Sequence, residues 1–123
     1  MNGIRVLCDT NVLIHLLNDN SDVADFLEGK QVFISAITEL ELYRKPDLSK
    51  KDLEVIDSLV ESCHILELTQ PVKQLVKNQI SKSKIKLPDS IIASTAIYSD
   101  IPLVTFDSDF TEIKELKLIL LKL

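Results

Sequence analysis

The feature of this sequence that most constrains its fold is the alternation of short apolar segments with helical patterns. The apolar segments predict buried strands at residues 4–8, 32–34, 65–68, 103–105 and 116–121. Between them, helical patterns cover residues 10–17, 22–28, 36–44, 50–62, 71–81 and 88–98, and residues 109–115 predict a helical turn. Strands that alternate with helices favour a parallel sheet covered on both faces, and strands that are apolar throughout suit burial on both sides.

The length of the chain indicates one domain. Its 123 residues are 46% hydrophobic, with only two glycines and four prolines, and we find no repeat, linker or change of composition. We therefore expect a single α/β domain over residues 1–123. No apolar run approaches the ~18–20 residues that cross a membrane. Asp9 and Asn11 interrupt the only early apolar stretch, so we expect no secretory signal and a soluble, cytoplasmic protein.

Two cysteines, Cys8 and Cys63, are too sparse to predict a disulfide framework in a chain without an export signal. We expect two reduced thiols that are partly buried. Neither cysteine has the spacing of a zinc site, and His15 and His64 do not complete one.

Four acidic residues are predicted to meet at one edge of the sheet. Asp9 directly follows the first strand, and Asp107 lies just past the strand at residues 103–105. Glu41 lies in the helix that leaves the second strand, and Asp89 begins the helix that precedes residues 103–105. Ligand sites in open parallel sheets form at the carboxyl ends of the strands, which is where all four positions fall.

Each acid also has a purely structural interpretation. Asp9 could cap its helix, and Asp89 could interact favourably with a helix N-terminus. Glu41 could be a solvated helix residue, and Asp107 could form an Asx-turn. Their common location favours a different explanation, because four clustered carboxylates repel one another unless a cation lies among them. Mg²⁺ and Mn²⁺ bind such oxygen ligands.

Four segments carry these acids in motif-like contexts. They are residues 7–14 (LCDTNVLI) with Asp9, 34–42 (ISAITELEL) with Glu41, 87–93 (LPDSIIA) with Asp89, and 103–110 (LVTFDSDF) with Asp107. In this order and spacing they resemble the motifs of the PIN-domain nucleases and, among these, of the VapC-type toxins of toxin–antitoxin pairs. The resemblance spans nearly the whole chain.

The resemblance implies a five-stranded parallel sheet with helices on both faces and cleavage of RNA that depends on Mg²⁺ or Mn²⁺. It also implies a homodimer and a VapB-type antitoxin that blocks the groove. Asp9, Glu41, Asp89 and Asp107 would be both the metal ligands and the catalytic residues. The glycine that often follows the second motif is absent, since Arg44 and Lys45 follow Tyr43.

Two positions leave a choice between neighbouring acids. Glu39 and Glu41 are two residues apart, so on a helix they point about 200° apart and only one can face the metal. The motif selects Glu41, and we expect Glu39 to face solvent. Asp107 is the better candidate for the fourth acid, with Asp109 as a secondary, capping or outer residue.

Three small polar residues, Thr10, Asn11 and Thr105, are further secondary candidates because they adjoin the acids. Thr10 and Asn11 are equally suited to capping the first helix and to touching substrate.

The overall charge counts against a protein that coats nucleic acid nonspecifically. The formal net charge is −5, whereas such binding needs clustered cations. Local basic runs exist, and they are Arg44, Lys45, Lys50 and Lys51, followed by Lys73, Lys77, Lys82, Lys84 and Lys86. They fit either solvated helix faces or contacts to an RNA backbone.

Other functions fit the sequence less well. A phosphorelay receiver needs an acidic pair after the first strand, but Cys8 precedes Asp9. A phosphatase of the Asp-x-Asp type needs a second aspartate where Asn11 lies. The remaining alternative is a catalytically inactive PIN-fold scaffold or interaction module, which should lack one or more of the four acids.

Overall fold

Five parallel strands form one sheet in a computed structural model that describes residues 3–122. The strands are β1 (Arg5–Cys8), β2 (Gln31–Ser35), β3 (His64–Leu66), β4 (Leu103–Thr105) and β5 (Leu118–Leu120). Their order across the sheet is β3-β2-β1-β4-β5, and each neighbouring pair is parallel. The predicted α/β fold with a five-stranded parallel sheet is confirmed.

Six α-helices and one 3₁₀ turn connect the strands. The helices are α1 (Thr10–Leu17), α2 (Ser21–Leu27), α3 (Ala36–Leu42), α4 (Lys50–Glu61), α5 (Gln70–Ile80) and α6 (Leu87–Ser99), and the 3₁₀ turn is Ser108–Glu112. Side chains at the N-caps of α1 to α4 accept hydrogen bonds from first-turn N–H groups. Asp9 and Ser35 lie at the ends of β1 and β2, so these two caps explain why α1 and α3 begin directly at strand ends.

The two faces of the sheet carry separate hydrophobic cores because successive strand residues point to opposite sides. In β1, Val6 and Cys8 join one core with residues of α1, α2 and α4. Leu7 joins the other core, with Ile92 of α6 and Phe110 of the 3₁₀ turn. Both faces are thus covered, as predicted.

The strands end where their partners end, and this corrects two predicted boundaries. The predicted strand at residues 65–68 runs only to Leu66, because its pairing partner β2 ends at Ser35. The predicted strand at residues 116–121 shortens to β5, which pairs with the three residues of β4. The predicted turn at residues 109–115 becomes the 3₁₀ turn Ser108–Glu112.

The strand order creates a switch point between β1 and β4. The chain builds β1, β2 and β3 in one direction and then crosses back to place β4 on the other side of β1. Loops that leave β1 and β4 therefore diverge at the carboxyl edge, and such crevices are the usual ligand sites of open parallel sheets.

The two cysteines are both free, and Cys8 is buried whereas Cys63 is partly buried. Burial raises the pKa of the Cys8 thiol to about 12, and the charges of Cys63 and Asp9 act in the same direction. Among residues 3–122, no helix combines the length and apolar character that a membrane span requires.

Candidate metal centre

Four different elements bring the predicted acids to the switch point. Asp9 follows β1 and is the N-cap of α1, and Asp107 follows β4 and is the N-cap of the 3₁₀ turn. Glu41 lies near the end of α3, and Asp89 lies in the first turn of α6. Residues far apart in sequence thus converge because parallel strands share one carboxyl edge.

Asp9 is the most buried of these acids, with only 8% of its surface exposed. One carboxylate oxygen accepts the Thr10 N–H at 2.8 Å, and the other accepts the Thr105 hydroxyl at 2.7 Å. Burial raises the pKa of Asp9, and the charges of Asp107 and Glu41 raise it further, against the lowering effect of its two hydrogen bonds. The side chain is therefore held in one orientation in an environment that disfavours its negative charge.

Glu41 is oriented by two threonines. The Thr10 hydroxyl donates to Glu41 Oε1 at 2.7 Å. Since that bond uses the only hydroxyl proton of Thr10, the Thr38 hydroxyl 2.9 Å away acts as donor to Thr10. Thr38 is fully buried, so this chain of hydrogen bonds fixes Glu41 relative to α1.

Asp89 is half-buried and makes no side-chain hydrogen bond within the described part of the chain. Burial raises the pKa of Asp89, and the charges of Asp9, Asp107 and Glu41 act in the same direction, while Lys86 opposes them. Its charge therefore interacts with all three other acids, and its side chain is free to turn towards a ligand.

Asp107 is exposed and confirms the Asx-turn interpretation, since its side chain accepts the Asp109 N–H at 2.9 Å. Its own N–H donates to the Thr105 hydroxyl at 3.0 Å, so Thr105 links Asp107 to Asp9. The capping role suggested for Asp109 therefore belongs to Asp107. Asp109 is exposed, and the acids whose charges raise the pKa values of Asp9 and Asp89 are Asp107 and Glu41, together with Asp9 for Asp89.

Glu39 lies outside this group of charges, as the choice of Glu41 requires. It is partly buried rather than fully exposed, and its charge acts on the Tyr43 hydroxyl at the end of α3. The expectation that Glu39 faces solvent is therefore only partly right. Asn11 is exposed and makes no side-chain hydrogen bond among residues 3–122.

No basic side chain among residues 3–122 forms an ion pair with any of the four acids, although the charge of Lys86 acts on Asp89 from further away. The one ion pair found within residues 3–122 joins Lys117 to Asp100, away from these positions. An all-oxygen set of carboxylates without a cationic partner fits a hard divalent ion such as Mg²⁺ or Mn²⁺. In the part of the chain that is described, however, no three acidic, histidine or cysteine side chains lie close enough together to enclose an ion. The charges of Asp107 and Glu41 are near enough to raise the pKa values of Asp9 and Asp89, but binding an ion would require side-chain rotation.

The geometry agrees with a family assignment from sequence. A family model described as "PIN domain" matches residues 6–116. The chain belongs to the PIN-domain family. This confirms the family that the four motifs indicated, and it accounts for nearly all of the described fold.

Solved structures share this PIN fold. A chain of a toxin–antitoxin complex from Klebsiella pneumoniae has a TM-score of 0.83 and 25% identity, over 96% of this chain and 99% of that chain. A chain of VapBC2 from Rickettsia felis, bound to a promoter DNA fragment, has a TM-score of 0.79 and 19% identity, over 94% of this chain and 98% of that chain. A chain of VapBC-1 from nontypeable Haemophilus influenzae has a TM-score of 0.76 and 21% identity, over 95% of this chain and 98% of that chain. A search of curated protein sequences finds no match.

An open cleft of about 440 Å³ adjoins the acids of this PIN domain. Its lining comes from the loop at residues 83–86, from the 3₁₀ turn together with Ile113, and from Asp89 and Asp107. A substrate in this cleft would therefore contact both acids.

Thr38 is the residue near the site that sequence reasoning missed. It lies three residues before Glu41 on α3, a spacing that places two side chains on the same helix face. The spacing of Thr38 and Glu41 can be found in the sequence, but the hydrogen bond between Thr38 and Thr10 of α1 cannot be predicted from it.

Proposed function

We propose that this PIN domain is an endoribonuclease that holds Mg²⁺ or Mn²⁺ among Asp9, Glu41, Asp89 and Asp107. One observation carries the proposal. Four carboxylates from four elements share one charge environment, Asp9 among them is buried, and none of them forms an ion pair with a basic side chain of residues 3–122. A bound cation would remove the repulsion that this arrangement otherwise maintains.

A divalent ion, when bound, supplies a water of lowered pKa and offsets charge on the phosphate oxygens. Asp9 and Asp89 are the main ligands, because Asp9 is held rigidly and Asp89 is free to turn. Asp107 completes the ligand set directly or through water. Glu41 uses Oε1 to accept the Thr10 hydroxyl, so its other oxygen remains available to accept a proton from the attacking water.

The same fold in VapBC complexes supports a biological role. We propose that this protein is the toxin of a toxin–antitoxin pair, that it forms a homodimer, and that a VapB-type antitoxin covers its cleft. Co-purification with the product of the adjacent reading frame tests the partner, and light scattering of the purified chain tests the dimer. A protein that is monomeric and does not bind that product would overturn this part of the proposal.

RNA digestion with and without EDTA tests the activity directly. We expect cleavage by the wild-type protein in Mn²⁺, none in EDTA and none by Asp89→Asn. Two matched pairs sharpen the assignment, because each compares neighbouring acids of one element. Glu41→Gln and Asp107→Asn should abolish cleavage, whereas Glu39→Gln and Asp109→Asn should retain it. An inactive wild-type protein with unchanged fold in Mn²⁺ would instead support a scaffold.

A further inference from the structure

One wall of the cleft, formed by the loop at residues 83–86, carries two lysines. Lys84 and Lys86 line the cleft together with Ser83 and Ile85, and they are exposed. We propose that Lys84 and Lys86 hold the phosphate backbone of single-stranded RNA against this wall, so that the strand passes Asp89 and Asp107. This inference rests on the proposed ribonuclease function and adds the surface that positions its substrate.

The loop that presents these lysines is an ordered structure. The Ser83 hydroxyl donates to the Gln79 carbonyl oxygen at 3.0 Å and accepts the Ile85 N–H at 3.4 Å. The Gln79 side chain accepts the hydroxyl of Ser90, which is buried in α6, at 2.7 Å. Gln79 therefore ties the loop to the same helix that carries Asp89. A wall fixed in this way needs little reordering when a ligand binds.

The charges of the two walls favour a phosphate backbone. Among residues 3–122 the only ion pair is Lys117–Asp100, so Lys84 and Lys86 are available to an anionic ligand. The part of the lining that belongs to the 3₁₀ turn carries Asp109 and Glu112, which would repel an acidic peptide that filled the cleft. An RNA strand instead places phosphates along one side and turns its uncharged bases and sugars to the other.

The size and lining of the cleft suit a single strand. A volume of about 440 Å³ is in the range of pockets that hold small ligands, so it fits one unit of a strand rather than a duplex. Ile85 and Ile113 are partly buried in the lining and offer apolar surface to a base. Backbone contact by lysine and apolar contact with bases are the two elements of sequence-tolerant binding to single strands.

The test measures the binding of a short, randomised, fluorescein-labelled single-stranded RNA by fluorescence anisotropy, over a range of salt concentrations. EDTA is present throughout, so that the RNA stays intact and binding is separated from cleavage. Wild-type protein is compared with K84Q/K86Q. The control is K50Q/K51Q, which removes the same charge from α4 on the other face of the sheet. Thermal unfolding verifies that the variants are folded.

We expect K84Q/K86Q to weaken binding at least about tenfold at low salt and to lower the slope of log K against log salt by about 1.4, or about 0.7 for each lost phosphate contact. The control should leave the slope unchanged. A wild-type protein that does not bind the RNA, an unchanged slope in K84Q/K86Q, or an equal change in both variants would overturn the inference.

Cleavage of the same RNA in Mn²⁺ is scored separately. There K84Q/K86Q should raise KM more than it lowers kcat, because the lysines bind the strand and do not touch the reacting atoms. If RNA binds in a lysine-dependent way and is never cleaved, the ribonuclease proposal fails while the binding surface stands.

Discussion

At the scale of single residues, the candidate site depends on carboxylates in an unfavourable environment. Asp9 is the one acidic side chain among residues 3–122 that is buried, and Asp89 is half-buried beside it. Burial raises the pKa of both groups, so ionisation of each opposes folding at neutral pH. Charge that destabilises the folded chain yet occupies a cleft is a feature of functional sites.

Removal of one such charge should stabilise the metal-free protein. We expect Asp89→Asn to increase the free energy of unfolding in EDTA by about 0.5–1 kcal/mol, because solvent screens much of a half-buried charge and no hydrogen bond is broken. Urea denaturation at neutral pH measures this change. Asp25→Asn, an exposed change on α2, is the control and should have little effect. A destabilised Asp89→Asn would contradict the proposed repulsion.

The raised pKa values also predict how stability changes with pH. The folded state binds protons at Asp9 and Asp89 more readily than the unfolded state, so lowering the pH favours folding. The metal-free protein should become more stable as pH falls from neutral through these raised values, down to the unfolded aspartate pKa of about 3.9. Thermal unfolding in EDTA across this window checks the sign, and Asp89→Asn should show a smaller slope.

The hydroxyl of Thr10 should contribute both to the stability of the fold and to activity, because it bonds to Thr38 and to Glu41. Thr10→Val would leave the fully buried Thr38 hydroxyl and Glu41 without a partner. We expect a loss of about 1–3 kcal/mol in stability and a lower kcat. Thr10→Ser keeps the hydroxyl and should restore both quantities. If the valine and serine variants have the same stability in denaturation and the same kcat in cleavage, the hydroxyl of Thr10 has neither role.

The residues of the site were only partly predictable from sequence. Asp9 and Asp107 follow strand ends, so their meeting follows from topology alone. The pairings Thr10–Thr38 and Thr105–Asp9 depend on how helices and strands pack across the sheet. No local pattern contains that information, and Thr38 was missed for this reason.

At the scale of elements, a short capped helix positions Glu41. The Ser35 side chain, buried at the end of β2, accepts the Ile37 N–H and starts α3, which carries Glu41. The existence of each strand and helix was evident from apolar runs and cap residues. Their ends were less evident, because a strand such as β3 stops where β2 stops rather than where its own apolar run ends.

Loss of a cap should therefore have consequences that differ between helices. We expect Ser35→Ala to cost about 1 kcal/mol of stability and to lower kcat, since α3 positions Glu41. Ser49→Ala removes the cap of α4, which carries none of the four acids. It should cost about as much stability and leave kcat unchanged. Chemical denaturation and RNA cleavage distinguish the two, and equal kcat values would argue against a role for α3 in positioning.

At the scale of the whole molecule, a net charge of −5 is concentrated in part at one edge of the sheet. A divalent ion that binds the folded state alone should stabilise it by linkage. At a concentration about 100 times its Kd, Mn²⁺ should add about 2.7 kcal/mol to the free energy of unfolding. Thermal unfolding with increasing Mn²⁺ measures this, and the rise in Tm should vanish in Asp89→Asn. A rise of the same size in that variant would place the bound ion elsewhere.

The position of the ion is the central claim, and anomalous diffraction from a crystal grown with Mn²⁺ measures it most directly. We expect a manganese peak between the carboxylates of Asp9 and Asp89, with Glu41 and Asp107 turned towards it directly or through water. A well-ordered map without a peak at the carboxyl edge of β1 and β4, or with manganese only at other residues, would contradict the account.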